Sequence, residues 1–236
     1  LKKPLIFVGS RSVILEMAHT ADLNNIEILG ILDSQYYGNT EEIQGIPVIG
    51  SELWLLDKDN SQAKKWLKDC DFLPVNWHNG STEKENNLGL LRQQRINILK
   101  ESNANLINLI HPDTSIPKKT KYSSFSIGIG NYIHPGVYIS SNNVQIGNYC
   151  IISSTSSIHH DVTIHDNVLV GPNVHLDICE IGTNSLIGSH SRTNPVKKKG
   201  SIKIGENVTV WTGSEVIKDI PKNCHYTFDN RILRKN

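Results

Sequence analysis

Aromatic residues make up only 6% of the 236-residue chain and methionine occurs once, so any core must be built from Ile, Val and Leu. Neither sign of charge is in excess: 24 Lys and Arg stand against 23 Asp and Glu, for a formal net charge of +1. This balance argues against a nucleic-acid partner bound through a broad basic field. No uncharged apolar run approaches the roughly 20 residues that a membrane span needs, and the mean hydropathy is −0.30, so no membrane partner is expected. The apolar stretch after Lys2-Lys3 stops at Gly9, too short for a secretory leader. The four cysteines, Cys70, Cys150, Cys179 and Cys224, contain no CxxC pair, which suggests neither a zinc ribbon nor a disulfide framework. A soluble, cytoplasmic protein of one large or two small domains is the expectation.

What is present falls into two patterns. Residues 1–112 alternate between strand-like and helix-like segments. Pro4 to Val8 is a short apolar run ending at Gly9, which suits a buried parallel strand. Ser12 stands where it can cap a helical segment beginning at Val13. Ile26 to Leu32 reads as a second strand with Asp33 at its carboxyl end, and Ile46 to Ile49 and Asp71 to Val75 read as further strands. Ser61–Lys68 and Leu88–Ser102 carry helical spacing. Together they predict a Rossmann-like α/β domain.

From Ile127 onward the period is six. Ile127, Ile133 and Ile139 are followed, after a step of seven, by Ile146, Ile152, Ile158, Ile164, Val170 and Leu176. A step of five leads to Ile181 and Ile187, and Ile204, Val210 and Val216 resume the beat. So short a repeat means a solenoid. Each hexad supplies a flat strand and a corner, and three hexads close a triangular coil whose aliphatic residues stack in ladders. The prediction for 113–236 is a left-handed parallel β-helix of hexapeptide repeats. The polar break between Ser189 and Lys203 reads as an ejected surface loop, or as a phosphate contact through Arg192 and Lys197-Lys198-Lys199.

His160 followed by Asp161 places an imidazole, the natural base near neutral pH, beside a carboxylate able to orient it. Three other segments accompany this pair: Asn108-Leu109-Ile110-His111-Pro112, Gln44-Gly45-Ile46-Pro47-Val48-Ile49-Gly50 and Val216-Ile217-Lys218-Asp219-Ile220-Pro221. Set on a solenoid behind a Rossmann-like unit, they resemble the hexapeptide-repeat sugar acyltransferases of the sialic acid O-acetyltransferase type, including bacterial UDP-amino-sugar N-acetyltransferases. The resemblance covers nearly the whole chain. It implies an acetyl-CoA-dependent acyltransferase, a homotrimer, that acylates the amine or hydroxyl of a sugar, a nucleotide-linked amino sugar above all.

In that family the motif at Ile158-His159-His160-Asp161 is catalytic, and aligning Ile158 to its apolar position makes His160, not His159, the base and Asp161 its partner. Leu169 stands where family members often carry a second histidine against acetyl-CoA. Ser189, Thr212 and Gly213 match positions along the pantetheine arm, in a channel between neighbouring subunits. Trp211 occupies a place usually held by a small residue, and the closing Gly-x-Pro-Ala/Gly-Lys is replaced by Tyr226 to Arg231. In the first domain Gly9, Arg11, Ser12, Asp33 and Ser34 match the nucleotide-sugar site, although the glycine-rich turn keeps only Gly9. Asn76-Trp77-His78-Asn79-Gly80 falls where a turn would line the same cleft.

Two other function classes fit parts of the pattern. A γ-type carbonic anhydrase uses the same solenoid with three zinc-binding histidines; His160 and His165 have the spacing of one pair, but no histidine stands near Ser124, and His134 is out of phase. A trimeric scaffold or sugar-binding module with decayed chemistry accounts for the lost histidine, glycines and closing motif.

Overall fold

The computed structural model describes residues 2–10, 13–75, 83–118 and 120–235. They divide into two compact units, 1–109 and 110–236.

The first unit is a five-stranded sheet with helices. Its elements are β1 (Leu5–Val8), α1 (Ile14–Leu23), β2 (Ile28–Leu32), β3 (Glu42–Ile43), β4 (Ile46–Gly50), α2 (Ser61–Asp69), β5 (Asp71–Pro74) and α3 (Glu83–Glu101). The strand order is β3-β4-β2-β1-β5. β1 is parallel to both β2 and β5, and β2 to β4. All four residues of β1 are buried, as an apolar run packed on both faces of a parallel sheet must be. β3 pairs antiparallel with β4 across Gln44 and Gly45, both at positive φ, the geometry of a tight hairpin. Ile6, Val8, Leu32, Trp66, Phe72 and Leu99 meet in the core. Because the chain winds from β1 through β2 to β4 on one side and returns to β5 on the other, the strand order reverses at β1. That reversal is where open α/β sheets form a crevice at the carboxyl ends of their strands.

The second unit is a parallel β-helix with three faces. Phe125–Ile127, Val144–Ile146, Val162–Ile164, Cys179–Ile181 and Ile202–Ile204 form the first. Tyr132–Ile133, Ile151–Ile152, Leu169–Val170, Leu186–Ile187, Thr209–Val210 and Cys224–Tyr226 lie on the second. Tyr138–Ile139, Ser157–Ile158, His175–Leu176, Arg192–Thr193 and Glu215–Val216 form the third. Strands pair in register, so Ile127, Ile146, Ile164, Ile181 and Ile204 make one continuous ladder. Ile133, Ile152, Val170, Ile187, Val210 and Tyr226 make another. The six-residue beat is thus the inward-facing beat, and from Ile133 onward these aliphatic positions are buried. Each such side chain contributes about 1.5–3 kcal/mol by leaving water.

Corners follow a second rule. Three residues after the ladder position the chain turns at positive φ at Tyr149 (60°), Thr155 (59°), Asp161 (56°), Asn167 (56°), Asn173 (56°), Asn184 (62°) and His190 (58°), and four after Ile139 it does so at Asn143 (51°). Asparagine tolerates this left-handed conformation and its amide also joins successive coils. Asn167 Nδ2 donates to Asn184 Oδ1 at 2.8 Å, and Asn207 Nδ2 to Asn223 Oδ1 at 2.8 Å. Coils approach so closely that a Cβ on Gly188 would lie 2.5 Å from the Thr212 backbone nitrogen.

The polar break is shorter than the expected one. Arg192 and Thr193 continue the third face, with buried Thr193 taking the ladder place between Leu176 and Val216. Only the segment after Thr193 leaves the coil, as a helical turn at Pro195–Lys198 capped by Asn194. Part of the positive charge here is paired within the chain. Arg192 Nη2 lies 2.7 Å from Glu215, Lys197 binds the same carboxylate, and Lys198 lies 2.9 Å from Asp219. Lys197, Asn194 and Arg192 push the Glu215 carboxyl down to about 2.

Ladder packing predicts that Ile152→Ala, at a fully buried position, destabilises the β-helix by about 3 kcal/mol. Urea unfolding followed by circular dichroism measures this; an unchanged midpoint would contradict the ladder.

Candidate active site

His160 and Asp161 sit on the corner between Ser157–Ile158 of the third face and Val162–Ile164 of the first. Neighbouring side chains on a strand point to opposite faces, but a corner obeys different geometry. With Asp161 at φ 56° the two side chains meet, His160 Nδ1 lying 2.8 Å from Asp161 Oδ2. Asn143 on the preceding coil donates to Asp161 Oδ1 at 2.6 Å. That bond, and then the one from His160, hold the Asp161 carboxyl below its usual range. The hydrogen bond to Asp161 raises the His160 imidazole above its usual value, and the negative charge of Asp177 adds to the effect.

A carboxylate can only accept, so Nδ1 carries the proton and Nε2 of the neutral ring is the basic nitrogen. Nε2 lies 3.7 Å from Asp177 Oδ1 on the next coil. Both members of the His160–Asp161 pair are about half exposed, at 45% and 46%, within reach of a ligand. Sequence reasoning missed Asp177. Its trace was the step of five between Leu176 and Ile181, which makes this coil one residue shorter than the one before.

His159 turns elsewhere. Its ring lies 5.7 Å from Tyr138 and 4.3 Å from His175, and His175 Nδ1 is 2.9 Å from Ser157 Oγ. Burial, then the neighbouring His159, lower the His175 imidazole. His165 pairs with Glu180 at 2.9 Å. His134 is buried, which pushes its imidazole down to about 4. Among the described residues no three His, Cys, Asp or Glu side chains are grouped to hold a metal ion.

Ser189, Thr212 and Gly213 come together on a different edge, between the second and third faces. The Gly213 N–H donates to the Ser189 carbonyl at 2.8 Å, and Gly213, at φ 72°, faces open space. Thr212 is exposed. Trp211 beside it is 41% exposed, with its ring edge-on to His225 at 6.4 Å. Leu169 is buried at the start of its strand and offers no polar group. Within one chain, then, the His160 corner and the Ser189–Thr212–Gly213 corner occupy separate edges.

In the first unit Gly9, Ser10, Asp33 and Ser34 gather at the carboxyl ends of β1 and β2. Gly9, at φ 92°, donates its N–H to Leu32 at 2.8 Å. Ser10 Oγ donates to Asp33 Oδ2 at 2.7 Å. Asp33 is buried and forms an ion pair with Arg95 at 2.7 Å; Arg95 Nε also reaches Glu52 at 2.9 Å. Ser34 bonds Glu52 through both its N–H (2.5 Å) and its hydroxyl (3.1 Å). Asp33 is therefore tied into a buried ion network. Glu52 and Arg95 went unnoticed in the sequence, where their only signal is charge within apolar surroundings. Arg11, Ser12 and the Asn76 to Gly80 turn lie outside the described residues.

Residues 143–177 match the bacterial transferase hexapeptide family, described as six repeats. That match lies within the second unit. Over 120 residues the chain is 34% identical to galactoside O-acetyltransferase of Escherichia coli K12; the match covers 42% of this chain and 57% of that protein. The acetyltransferase domain of PglB from Neisseria gonorrhoeae, solved with acetyl coenzyme A, superposes with a TM-score of 0.78 at 20% identity, covering 99% of this chain and 100% of that one. Perosamine N-acetyltransferase from Caulobacter crescentus, solved as a histidine-to-asparagine mutant with CoA and GDP-perosamine, gives 0.77 at 18% identity, covering 97% and 96%. The chain thus resembles hexapeptide-repeat sugar acyltransferases in its repeats, and both units share the fold of such proteins, which fits a left-handed β-helix.

The site geometry makes the His160 titration a direct check. NMR should place its midpoint above the roughly 6.5 of an unperturbed imidazole, because Asp161 favours the charged ring. Asp161→Asn should move it down; an unmoved midpoint would mean that the pair does not form in solution.

Proposed function

We propose that the chain is an acetyl-CoA-dependent sugar acyltransferase, with a nucleotide-linked amino sugar as acceptor and His160 as general base. The observation that carries this reading is the corner itself. Asp161 fixes the proton of His160 on Nδ1, leaving the basic Nε2 toward solvent-accessible space beside Asp177. As the acceptor nitrogen or oxygen attacks the thioester carbonyl, its proton passes to Nε2 and a C–N or C–O bond forms. The C–S bond then breaks, and the imidazolium returns the proton to the departing thiolate. Asp161 stabilises the intervening imidazolium.

The second edge supports the acyl-carrier assignment. At Ser189, Thr212 and Gly213 small residues leave open space along the backbone at Gly213, as a long pantetheine arm requires. Since the two edges are separate within one chain, a homotrimer supplies the missing adjacency, one subunit's His160 edge facing another's carrier edge. Buried Leu169 removes one family contact to acetyl-CoA, the feature that favours a scaffold with decayed chemistry; the intact His160 corner favours catalysis.

In this reading residues 1–112 form a Rossmann-like nucleotide-sugar domain and 113–236 the acyltransferase domain. Gly9, Arg11, Ser12 and Ser34 contact the nucleotide sugar at the strand ends where such sheets take ligands, and Asp33 shapes that end through Arg95. The relatives solved with acetyl coenzyme A and with GDP-perosamine support both substrates. Four buried free cysteines fit a reducing cytoplasm, and among the described residues no helix is long and apolar enough to cross a membrane.

A screen of UDP-, GDP- and dTDP-amino sugars with acetyl-CoA, following thiol release, should find an acceptor. His160→Ala should then lower turnover by about 10²–10⁴-fold with an unchanged circular dichroism spectrum. Undiminished turnover would remove His160 from the mechanism.

A further inference from the structure

The shortened coil brings a second carboxylate to the opposite side of His160 from Asp161. Asp177 Oδ1 has no solvent-exposed surface and no hydrogen-bond partner among the described residues, and it lies 3.7 Å from Nε2, too far for a hydrogen bond. A buried polar atom without a partner requires explanation. Its surroundings are built to hold it there. Thr193, a polar residue in an otherwise aliphatic ladder, binds the Asp177 backbone twice, accepting from its N–H at 2.8 Å and donating to its carbonyl at 2.9 Å. The next residue, Ile178, turns the corner at φ 40°, a conformation that costs a β-branched residue energy and is kept where surrounding structure or function demands it.

We propose that Asp177 is an acceptor-binding residue that, with His160, selects an amine over a hydroxyl; the assignment rests on the acyltransferase reading above. Nε2 of the neutral ring and the carboxylate are both acceptors, 3.7 Å apart. Oδ1 has no exposed surface, so an atom held about 2.9 Å from each enters as the carboxylate turns Oδ1 toward solvent. An amine nitrogen carries at least two N–H groups and satisfies both acceptors at once; a hydroxyl has one O–H and leaves one unpaired. Leaving a buried acceptor unpaired is what makes such sites discriminate. The side chains of Asp177 and His160 are 28% and 45% exposed, so solvent reaches part of each although Oδ1 itself is covered.

The proton count follows from this placement. The acceptor binds as R–NH3+, with Asp177 offsetting its charge, and releases one proton to solvent to become R–NH2. As nitrogen attacks the thioester carbonyl its second proton goes to Nε2, the C–N bond forms and the C–S bond breaks. The proton on Nε2 then passes to the thiolate, so the sum is R–NH3+ plus acyl thioester giving amide, thiol and one free proton.

Steady-state kinetics on wild type, Asp177→Asn and Asp177→Ala test this, with acetyl-CoA and UDP-, GDP- and dTDP-linked amino sugars alongside their hydroxyl counterparts. Wild type should favour the amine by at least about a hundredfold in kcat/KM. Asp177→Asn, which keeps the shape of the corner, should raise KM for the amine by about tenfold or more, change kcat much less, and narrow the preference over the hydroxyl. Asp177→Ala should behave alike, and thermal midpoints near that of wild type show that both corners stay folded. Amine turnover with KM unchanged in both variants, or a wild type that prefers the hydroxyl, overturns the Asp177 assignment and leaves the acyltransferase reading standing. A wild type that turns over no acceptor of either kind overturns both.

Discussion

Everything in the second unit depends on one constraint: each coil must lie in register on the coil before it, at backbone hydrogen-bonding distance. In-register parallel pairing puts like residues above like, so the interior is a set of aliphatic ladders with almost no place for rings. Residues 151–210 accordingly hold no Phe, Tyr or Trp. The same closeness forbids a side chain at Gly188 and requires left-handed corners, which asparagine supplies while its amide bonds the next coil.

The proposed chemistry grows from this corner ladder. Asp161 occupies a rung that Asn143 and its neighbours show to be structural, and Asn143 binds it as one rung binds the next. Substituting a carboxylate at that rung beside His160 converts a stacking position into a charge-stabilised imidazole. The shortened coil then places Asp177 near the remaining nitrogen. Scaffold and site are thus the same hydrogen-bonded stack, with one rung exchanged for an acid and a second acid set just before the next. In the first unit a comparable role falls to Arg95, whose guanidinium binds both Asp33 and Glu52 in the interior.

How much of this was legible in the chain varied with the range of the interaction. The ladders were, because β-branched residues recur every six positions and burial acts on each independently. Thr193 was not, because its hydroxyl is satisfied by the backbone of Asp177, a partner invisible without the coil register. The His160–Asp161 contact depended on the positive φ of Asp161, and strand geometry alone argued against it; Asn167, Asn173, Asn184 and Asn207, each three residues after a ladder position, were the signal that such corners exist. Asp33, Glu52 and Arg95 are far apart in sequence and meet only through strand order. The basic run at Lys197-Lys198-Lys199 suggested a phosphate, whereas Glu215 and Asp219 take up Lys197 and Lys198.

The central claim is that this stack presents a working acyl-carrier edge as well as a base. Calorimetric titration of the intact protein with acetyl-CoA tests it most directly, since a ligand that binds only the folded state also raises its apparent stability. The account predicts saturable binding at one site per chain, accompanied by a higher thermal midpoint. No binding heat and no thermal shift at saturating acetyl-CoA would contradict it and leave the β-helix as a scaffold.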